Sequence, residues 1–166
     1  MNADLVKQAD HTLLVDLQLQ VFSTGYIVPN AAGRGRLQPA RAWPEYFGRP
    51  CYSDISVAGA DDETWYGRAL LFFQAGKHES TWDERAHQRV SIVVWSDLVF
   101  IRWYKKTGYR DAVTCNIYEW EQMAGRTEGP RLSVEPLSSV IAVEQLVPKT
   151  TGTRDKEMFF LNKYYR

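Results

Sequence analysis

The segment from Thr64 to Lys106 constrains the fold more than any other part of the chain. It begins with TWYGRALLFFQ, continues through the polar interval AGKHESTWDERAHQR and ends with VSIVVWSDLVFIRWYKK. Both apolar stretches are rich in β-branched and aromatic side chains, which favour strands over helices. Four of the six tryptophans lie in this segment. We therefore predict that it supplies the central strands of a compact sheet or barrel.

Alternation of apolar and polar residues marks further strands on either side of this segment. The range 15–21 reads VDLQLQV, and its period of two is typical of a half-buried strand. Comparable short strands are predicted in the ranges 51–57, 113–117, 140–147 and 158–165. Many short strands with hardly any helical periodicity predict a mainly all-β fold. The expected architecture is a small, partly open β-barrel with long loops and at most short helices.

Three stretches interrupt the strand pattern. Asn30–Pro50 is rich in Gly, Pro, Ala and Arg, and is predicted to be irregular, with one helical turn allowed after Pro44. The interval from Gly76 to Arg89 is polar and charged, and is predicted to be a loop. The dipeptide Ser96-Asp97 indicates either the turn of a hairpin or a bulge within one long strand.

The length of 166 residues suits one domain that buries a sizeable core. We predict that residues 49–166 form the barrel, and that residues 1–48 add N-terminal strands and an irregular Arg/Pro/Gly arm packed on it. No apolar run has the length of a membrane span and the first residues do not resemble a signal peptide, so no membrane partner is expected. Cys51 and Cys115 are too few for a disulfide framework, which favours an intracellular protein, although a single bridge between them stays open.

The charges balance overall but are unevenly distributed. The chain has 20 basic and 20 acidic residues, so its net charge does not attract nucleic acid or acidic membranes. Basic residues nevertheless cluster in two places, and such clusters suit phosphate contacts as well as ordinary solvated strand edges. An alternative function is therefore a nucleic-acid-binding accessory domain that uses the Arg34–Arg49 arm and the patch beside Trp103, through Arg34, Arg36, Arg41, Arg102, Lys105 and Lys106.

Chemistry-bearing motifs are sparse. There is no Gly-rich phosphate loop, no GxSxG and no HExxH. The interval from His78 to His87 is the densest group of potential ligands or bases, but its two histidines lie nine residues apart, which matches no standard metal-site spacing. We predict a protein without enzymatic activity, cofactor or bound metal. A metal-dependent enzyme built on the His78–His87 interval is the weaker alternative.

Aromatic residues in the predicted strands suggest a binding site. Tyr118 and Trp120 share one face of a strand, with Glu119 between them in the sequence. Two rings beside a carboxylate can recognise a methylated ammonium group through cation–π attraction and charge. Trp103 and Tyr104 fall on opposite faces, so at most one of that pair serves the same cage. We predict Trp120, Tyr118, Glu119 and Trp103 as ligand-binding residues, while rings packed in the core are the ordinary alternative.

The order of the segments resembles that of a known family. WYGRALLFF, VSIVVWSDLVFIRWYKKTG, NIYEW and PLSSVIAVEQLVP follow the order of the bromo-adjacent homology (BAH) pattern. An even closer likeness is to the barrel-like C-terminal segment of transposase-like proteins of Kyakuja–Dileera–Zisupton DNA transposons. That likeness is carried by RPCYSDISV, WYGRALLFF, FIRWYKK, PLSSVIAVEQLVP and MFFLNKYYR, between Arg49 and Arg166.

The resemblance implies an accessory barrel, because the acidic triad of a nuclease domain is missing from the sequence. In such a fold it implies a chromatin or nucleoprotein interaction module and no catalysis. The expected partner is a protein or peptide, for which a histone tail is one candidate, and nucleic acid is the second class. A nuclear location is expected before a cytoplasmic one. Fold likeness alone does not decide among these partners.

Overall fold

The computed structural model describes residues 17–28, 36–110, 116–123, 129–149 and 157–162. Within these ranges no helix has the length and apolarity needed to cross a bilayer. Short 3-10 turns occur at Ala60–Asp62 and Leu137–Ser139. The strands are β1 Leu17–Phe22, β2 Thr24–Ile27, β3 Gln38–Tyr46, β4 Arg49–Tyr52, β5 Asp54–Ala58, β6 Thr64–Asp83, β7 Gln88–Arg110, β8 Asn116–Trp120, β9 Leu132–Pro136, β10 Val140–Glu144, β11 Leu146–Lys149 and β12 Met158–Leu161.

The main sheet curls into a nearly closed antiparallel barrel, as the sequence predicted. Its strands follow the order β10-β5-β6-β7-β8-β12-β11. Its two outermost strands, β10 and β11, are consecutive in the chain and separated only by Gln145. One segment therefore pairs with β5 through its first half and with β12 through its second half. This shared segment brings the two ends of the sheet together and leaves few unpaired edge groups.

The two faces of the barrel sheet carry different side chains. Trp103 and Tyr104 are neighbours on β7, yet they belong to separate buried clusters, as period-two alternation predicted. Trp103 lies in the outer core, which is mostly aliphatic and includes Ile27 and Ala40 of the small β2-β3-β4 sheet. Tyr104 lies in the inner cluster, which comprises Tyr104, Tyr118, Leu146, Phe159 and Leu161, with Tyr66 and Trp120 packed on it.

β6 and β7 form a hairpin that is much longer than the sequence suggested. Their pairing runs from Tyr66 opposite Tyr104 to Asp83 opposite Gln88. The predicted loop between Gly76 and Arg89 is therefore wrong: most of it is strand, and only residues 84–87 turn. Asp83 stabilises the turn, because its Oδ1 accepts hydrogen bonds from the backbone N–H groups of Arg85 and Ala86.

The irregularity expected at Ser96-Asp97 lies on the partner strand instead. β7 continues through that dipeptide in register, and the ladder shifts between Ala69 and Leu71 of β6. Such a bulge bends the strand. It falls where β6 stops pairing with β5 and goes on to pair with β1.

The segment expected to be irregular between Asn30 and Pro50 is partly strand. β3 runs through Pro44 to Tyr46, so no helical turn begins there. Phe47 and Gly48 then form a tight turn with positive φ values of 50° and 74°, and β4 pairs back on β3. Glycine at the second position relieves the strain of that conformation. Arg34 lies outside the described residues.

Candidate functional site

A carboxylate is buried on the inner face of the barrel and is held by two partners. Asp54 of β5 is only 7% exposed. Its Oδ1 accepts a hydrogen bond of 2.9 Å from Nε of Arg68, the residue directly opposite it on β6. The same Oδ1 accepts a hydrogen bond of 2.7 Å from the hydroxyl of Tyr104 on β7. These two bonds compensate the carboxylate for the loss of water.

Burial and the Asp54 charge determine the protonation states in this network. Burial raises the pKa of Tyr104 well above its ordinary value, and the negative charge of Asp54 raises that pKa further. Burial alone would lower the pKa of Arg68, but the hydrogen bond and charge of Asp54 outweigh it and leave that pKa raised. Tyr104 is thus a neutral donor and Arg68 a permanent cation.

Trp120, the first residue of the predicted cage, already contacts cations of its own chain. The guanidinium of Arg102 lies 3.9 Å from its ring centroid, and that of Arg68 lies 5.1 Å away. The ring also stacks on Tyr104 at 4.3 Å, and its indole N–H donates to Glu157 at 2.8 Å. Arginines of the protein therefore occupy the cation–π positions that a methylated ammonium group would need.

A pocket of about 580 Å³ opens at the end of the barrel next to this cluster. It brings together two of the predicted ligand-binding residues, Trp103 and Tyr118, with two of the six predicted basic residues, Lys105 and Lys106. Tyr104 and, from β6, Trp65 and Tyr66 complete its aromatic lining. We call it the barrel-end pocket. Trp120 and Glu119 do not line it, although Glu119 lies opposite Lys105 across the β7–β8 pair.

The lining rings are held in place by contacts within the protein. Trp65 meets Trp103 edge-on at 5.8 Å, and Tyr66 meets Tyr118 edge-on at 5.1 Å. The indole N–H of Trp103 donates to Oγ of Ser133 at 2.7 Å. Burial raises the pKa of Tyr118 to about 12, and its neighbour Tyr66 contributes to the rise. The walls are therefore neutral, rigid and aromatic at neutral pH.

Some charged side chains of the pocket already bond to other groups of the protein, whereas others do not pair within the described residues. Glu63 accepts the indole N–H of Trp65 at 3.2 Å, and Glu121 forms a salt bridge of 2.9 Å with Arg131. Lys105 and Lys106 are exposed, and no salt bridge joins either of them to a carboxylate of the described residues. The lining holds three cations, Lys105, Lys106 and Arg131, and two carboxylates, Glu63 and Glu121, so its net charge is positive.

The other predicted basic residues do not gather around this rim. Arg36 and Arg41 are exposed, and Arg41 lies on β3 of the small sheet, 5.7 Å from the ring of Tyr46. Arg102 points its guanidinium at Trp120, and its buried Nε has no hydrogen-bond partner among the described residues. The basic residues proposed from the sequence are thus spread over separate environments.

The His78–His87 interval shows no metal site in the structure. His78 is an exposed strand residue of β6 within 3.4 Å of Gln18 and 3.5 Å of Ser91. His87 lies in the hairpin turn with a φ of 49°. Nowhere in the described part of the chain do three or more His, Cys, Asp or Glu side chains converge on one point. Cys51 is a free thiol, and Cys115 lies outside the described residues.

A larger groove has fewer charged side chains than the barrel-end pocket. It has a volume of about 820 Å³ and lies between β2, β7 and the turn before β10. Its only charged lining residue among those described is Asp97, whose Oδ1 already accepts a hydrogen bond of 2.7 Å from Gln74. The barrel-end pocket, with its aromatic walls and exposed lysines, is therefore the candidate site.

Asp54, Arg68, Trp65 and Tyr66 were not among the site residues predicted from the sequence. Asp54 and Arg68 carry opposite charges on successive strands, and this was the one feature of the sequence that could have indicated their pairing across the sheet. Nothing in the spacing indicated that Tyr104, two strands away, reaches the same carboxylate.

Comparison with known proteins gives no relative: no family model, curated protein or solved structure matches the chain. The resemblance to BAH domains and to transposase-like C-terminal segments therefore stays a prediction.

Proposed function

We propose that the protein is a non-enzymatic interaction module whose barrel-end pocket binds an extended segment of a protein partner. The observation that carries this proposal is the meeting of Trp65, Tyr66 and Tyr118 with two exposed lysines in one pocket. Rigid aromatic walls bury an apolar side chain at little entropic cost, and such rings are frequent anchors of protein interfaces.

The free charges of the pocket favour a particular kind of segment. Because the lining carries three cations against two carboxylates, and one of those carboxylates, Glu121, is paired with Arg131, an incoming carboxylate is favoured over an incoming cation. We therefore propose a segment with an acidic side chain next to an apolar or aromatic one. The lysines then contribute mainly to the association rate and to partner choice, as charges at an interface rim do.

The BAH resemblance supports a chromatin or nucleoprotein setting and a nuclear location for this module. Histone tails are thus one class of partner, with their less basic stretches preferred by the lysine rim. Microscopy of the tagged full chain tests the location: a signal in the nucleus supports the setting, and exclusion from the nucleus contradicts it.

A pair of tryptophan variants tests the pocket. Trp65 is 37% exposed in the pocket, whereas Trp82 is 57% exposed near the hairpin turn, far along β6. Each would be changed to Ala and titrated with peptides selected by the native protein from an array of acidic–aromatic and histone-tail sequences. We expect Trp65→Ala to weaken binding about tenfold or more.

Trp82→Ala is the matched control and should bind as the native protein does. Far-ultraviolet circular dichroism checks that both variants are folded. Equal binding by Trp65→Ala and the native protein, or an array that captures nothing, contradicts the proposal.

Nucleic-acid binding is a second candidate, favoured by the exposed lysines of the rim. It predicts an affinity for a single-stranded oligonucleotide that falls steeply with salt, and a smaller salt slope for Lys105→Gln combined with Lys106→Gln. A flat salt response removes this candidate.

The metal-enzyme alternative has a direct test as well. Elemental analysis of the purified protein that finds no bound metal would eliminate it.

A further inference from the structure

The first strand forms an exposed edge beside the long hairpin. β1 has the sequence LQLQVF and pairs with β6 from Leu17 opposite Lys77 to Phe22 opposite Phe72. All of its side chains are exposed, and Leu19 is 57% exposed. No other strand of the described residues pairs with β1, so its outer backbone edge is open there.

This edge has none of the usual protection against strand addition. Edge strands normally carry a charge, a proline or a bulge that prevents another strand from pairing with them. β1 contains no charged residue and no proline, and its register with β6 is regular throughout. By contrast, the far stretch of β7 on the other side of this hairpin carries Arg89 and Asp97.

We propose that β1 is a homodimerisation edge, on which a second copy of this chain adds its own β1 in antiparallel orientation. A two-fold axis at Leu19 places Leu17 opposite the partner's Val21 and Gln18 opposite the partner's Gln20. Directly opposite residues share a face, so apolar side chains meet apolar ones and amides meet amides. A centre at Gln20 would instead set Leu17 opposite Ser23 and Phe22 opposite Gln18.

Charge and symmetry favour a second copy over a foreign strand. β1 brings no charge to the shared edge, so pairing with itself puts no like charges opposite each other. The interface is self-complementary and closes after two copies, as isologous two-fold interfaces do. The apolar row of Leu17, Leu19 and Val21 also lies on the same face of the sheet as Val94. Leu17 is opposite Lys77 on β6, and Lys77 is in turn opposite Val94 on β7. Pairing therefore joins the exposed apolar rows of both copies into one surface.

Register-specific cross-linking tests this dimer in the full chain. In a Cys51→Ser, Cys115→Ser background, Leu19→Cys places two thiols opposite each other across the axis, within reach of a disulfide. Mild oxidation should then give a covalent dimer. Gln20→Cys, one residue away, should give little, because the partner's Gln20 is a diagonal neighbour beyond disulfide reach. A mixture of Gln18→Cys and Gln20→Cys chains should cross-link.

Light scattering of the native chain and of Leu19→Lys completes the test. We expect a concentration-dependent dimer for the native chain and a monomer for Leu19→Lys. Leu19 is exposed, so this variant should stay folded, which circular dichroism checks. A monomeric native chain, a dimer that survives Leu19→Lys, or equal cross-linking at Leu19 and Gln20 overturns the proposal. The barrel-end pocket is lined by residues 63–66 and 103–106 of β6 and β7 and their flanks, whereas β1 pairs with residues 72–77 of β6, so peptide binding is not expected to depend on this result.

Discussion

Tyr104 and Asp54 lie on strands that are not neighbours, and the hydroxyl of Tyr104 donates a hydrogen bond of 2.7 Å to Oδ1 of Asp54 across the inner face of the barrel. The bond links β7 to β5 over β6. Tyr104→Phe keeps the ring and removes this bond to a buried carboxylate. We expect it to lower the free energy of unfolding by about 1–3 kcal/mol, measured by urea denaturation.

Tyr26→Phe is the matched control for this change, because Tyr26 is an exposed residue of β2. It should leave the free energy of unfolding within about 0.5 kcal/mol of the native value. An equal effect of the two variants would show that the hydrogen bond between Tyr104 and Asp54 does not stabilise the fold.

The raised pKa values of the inner tyrosines predict a loss of stability at alkaline pH. The ordinary pKa of a tyrosine is 10.0, and burial followed by the Asp54 charge raises the pKa of Tyr104 above it. Burial also raises the pKa of Tyr118, to about 12. Because the folded protein keeps these protons and the unfolded chain releases them, the stabilisation is complete below about pH 10 and declines as pH rises further.

Urea midpoints measured between about pH 9 and about pH 11 should therefore fall, and the combined Tyr104→Phe, Tyr118→Phe variant should fall less steeply. A midpoint that is constant over this range, or an unchanged slope in the variant, contradicts this reading of the tyrosine pKa values.

Two arginines that contact the same ring should differ in their effect on stability. Arg68→Met leaves the carboxylate of Asp54 buried without its cation, and we expect a loss of about 2–4 kcal/mol. Arg102→Met removes a cation–π contact with Trp120, but it also removes a buried Nε that has no hydrogen-bond partner in the described part of the chain. Its cost should be below about 1 kcal/mol. Chemical denaturation of both variants checks the order, and an Arg102→Met loss as large as that of Arg68→Met would contradict it.

Two glycines of the long hairpin should respond in opposite ways to an added methyl group. A Cβ at Gly67 would collide with Cγ2 of Ile101, whose side chain is fully buried in the outer core. Gly67→Ala should therefore lower the thermal midpoint, at a cost of about 1–3 kcal/mol. Among the described residues, no atom lies within 4 Å of the Cβ position of Gly108, and Gly108→Ala should leave the midpoint unchanged or slightly raised. Calorimetry that finds equal midpoints would contradict the close packing at Gly67.

Much of the barrel was predictable from the sequence because period-two alternation reports which side of a strand is buried. It placed Trp103 and Tyr104 on opposite faces, where the structure has them. It failed between Gly76 and Arg89, because the far part of the hairpin is strand with both faces largely in water and so lacks an apolar pattern. Strand pairing, which the local sequence does not encode, defines that part of the chain.

The candidate site was predictable only in part, for the same reason. Sequence reasoning named Tyr118 and Lys106, which meet in the barrel-end pocket, but could not show that Arg102 turns inward to Trp120. Charge is a property of composition, whereas the direction of a long side chain depends on tertiary contacts.

The tryptophan indole N–H signals offer the most direct measurement of the central proposal, that the barrel-end pocket binds a protein segment. A nitrogen-15 labelled sample would be titrated with an array-selected acidic–aromatic peptide and followed by nuclear magnetic resonance. We expect the Trp65 and Trp103 indole signals to shift with a common saturation curve while the Trp82 signal stays in place. Signals that shift only at Trp82 or Trp95, or that do not shift at all, would contradict it.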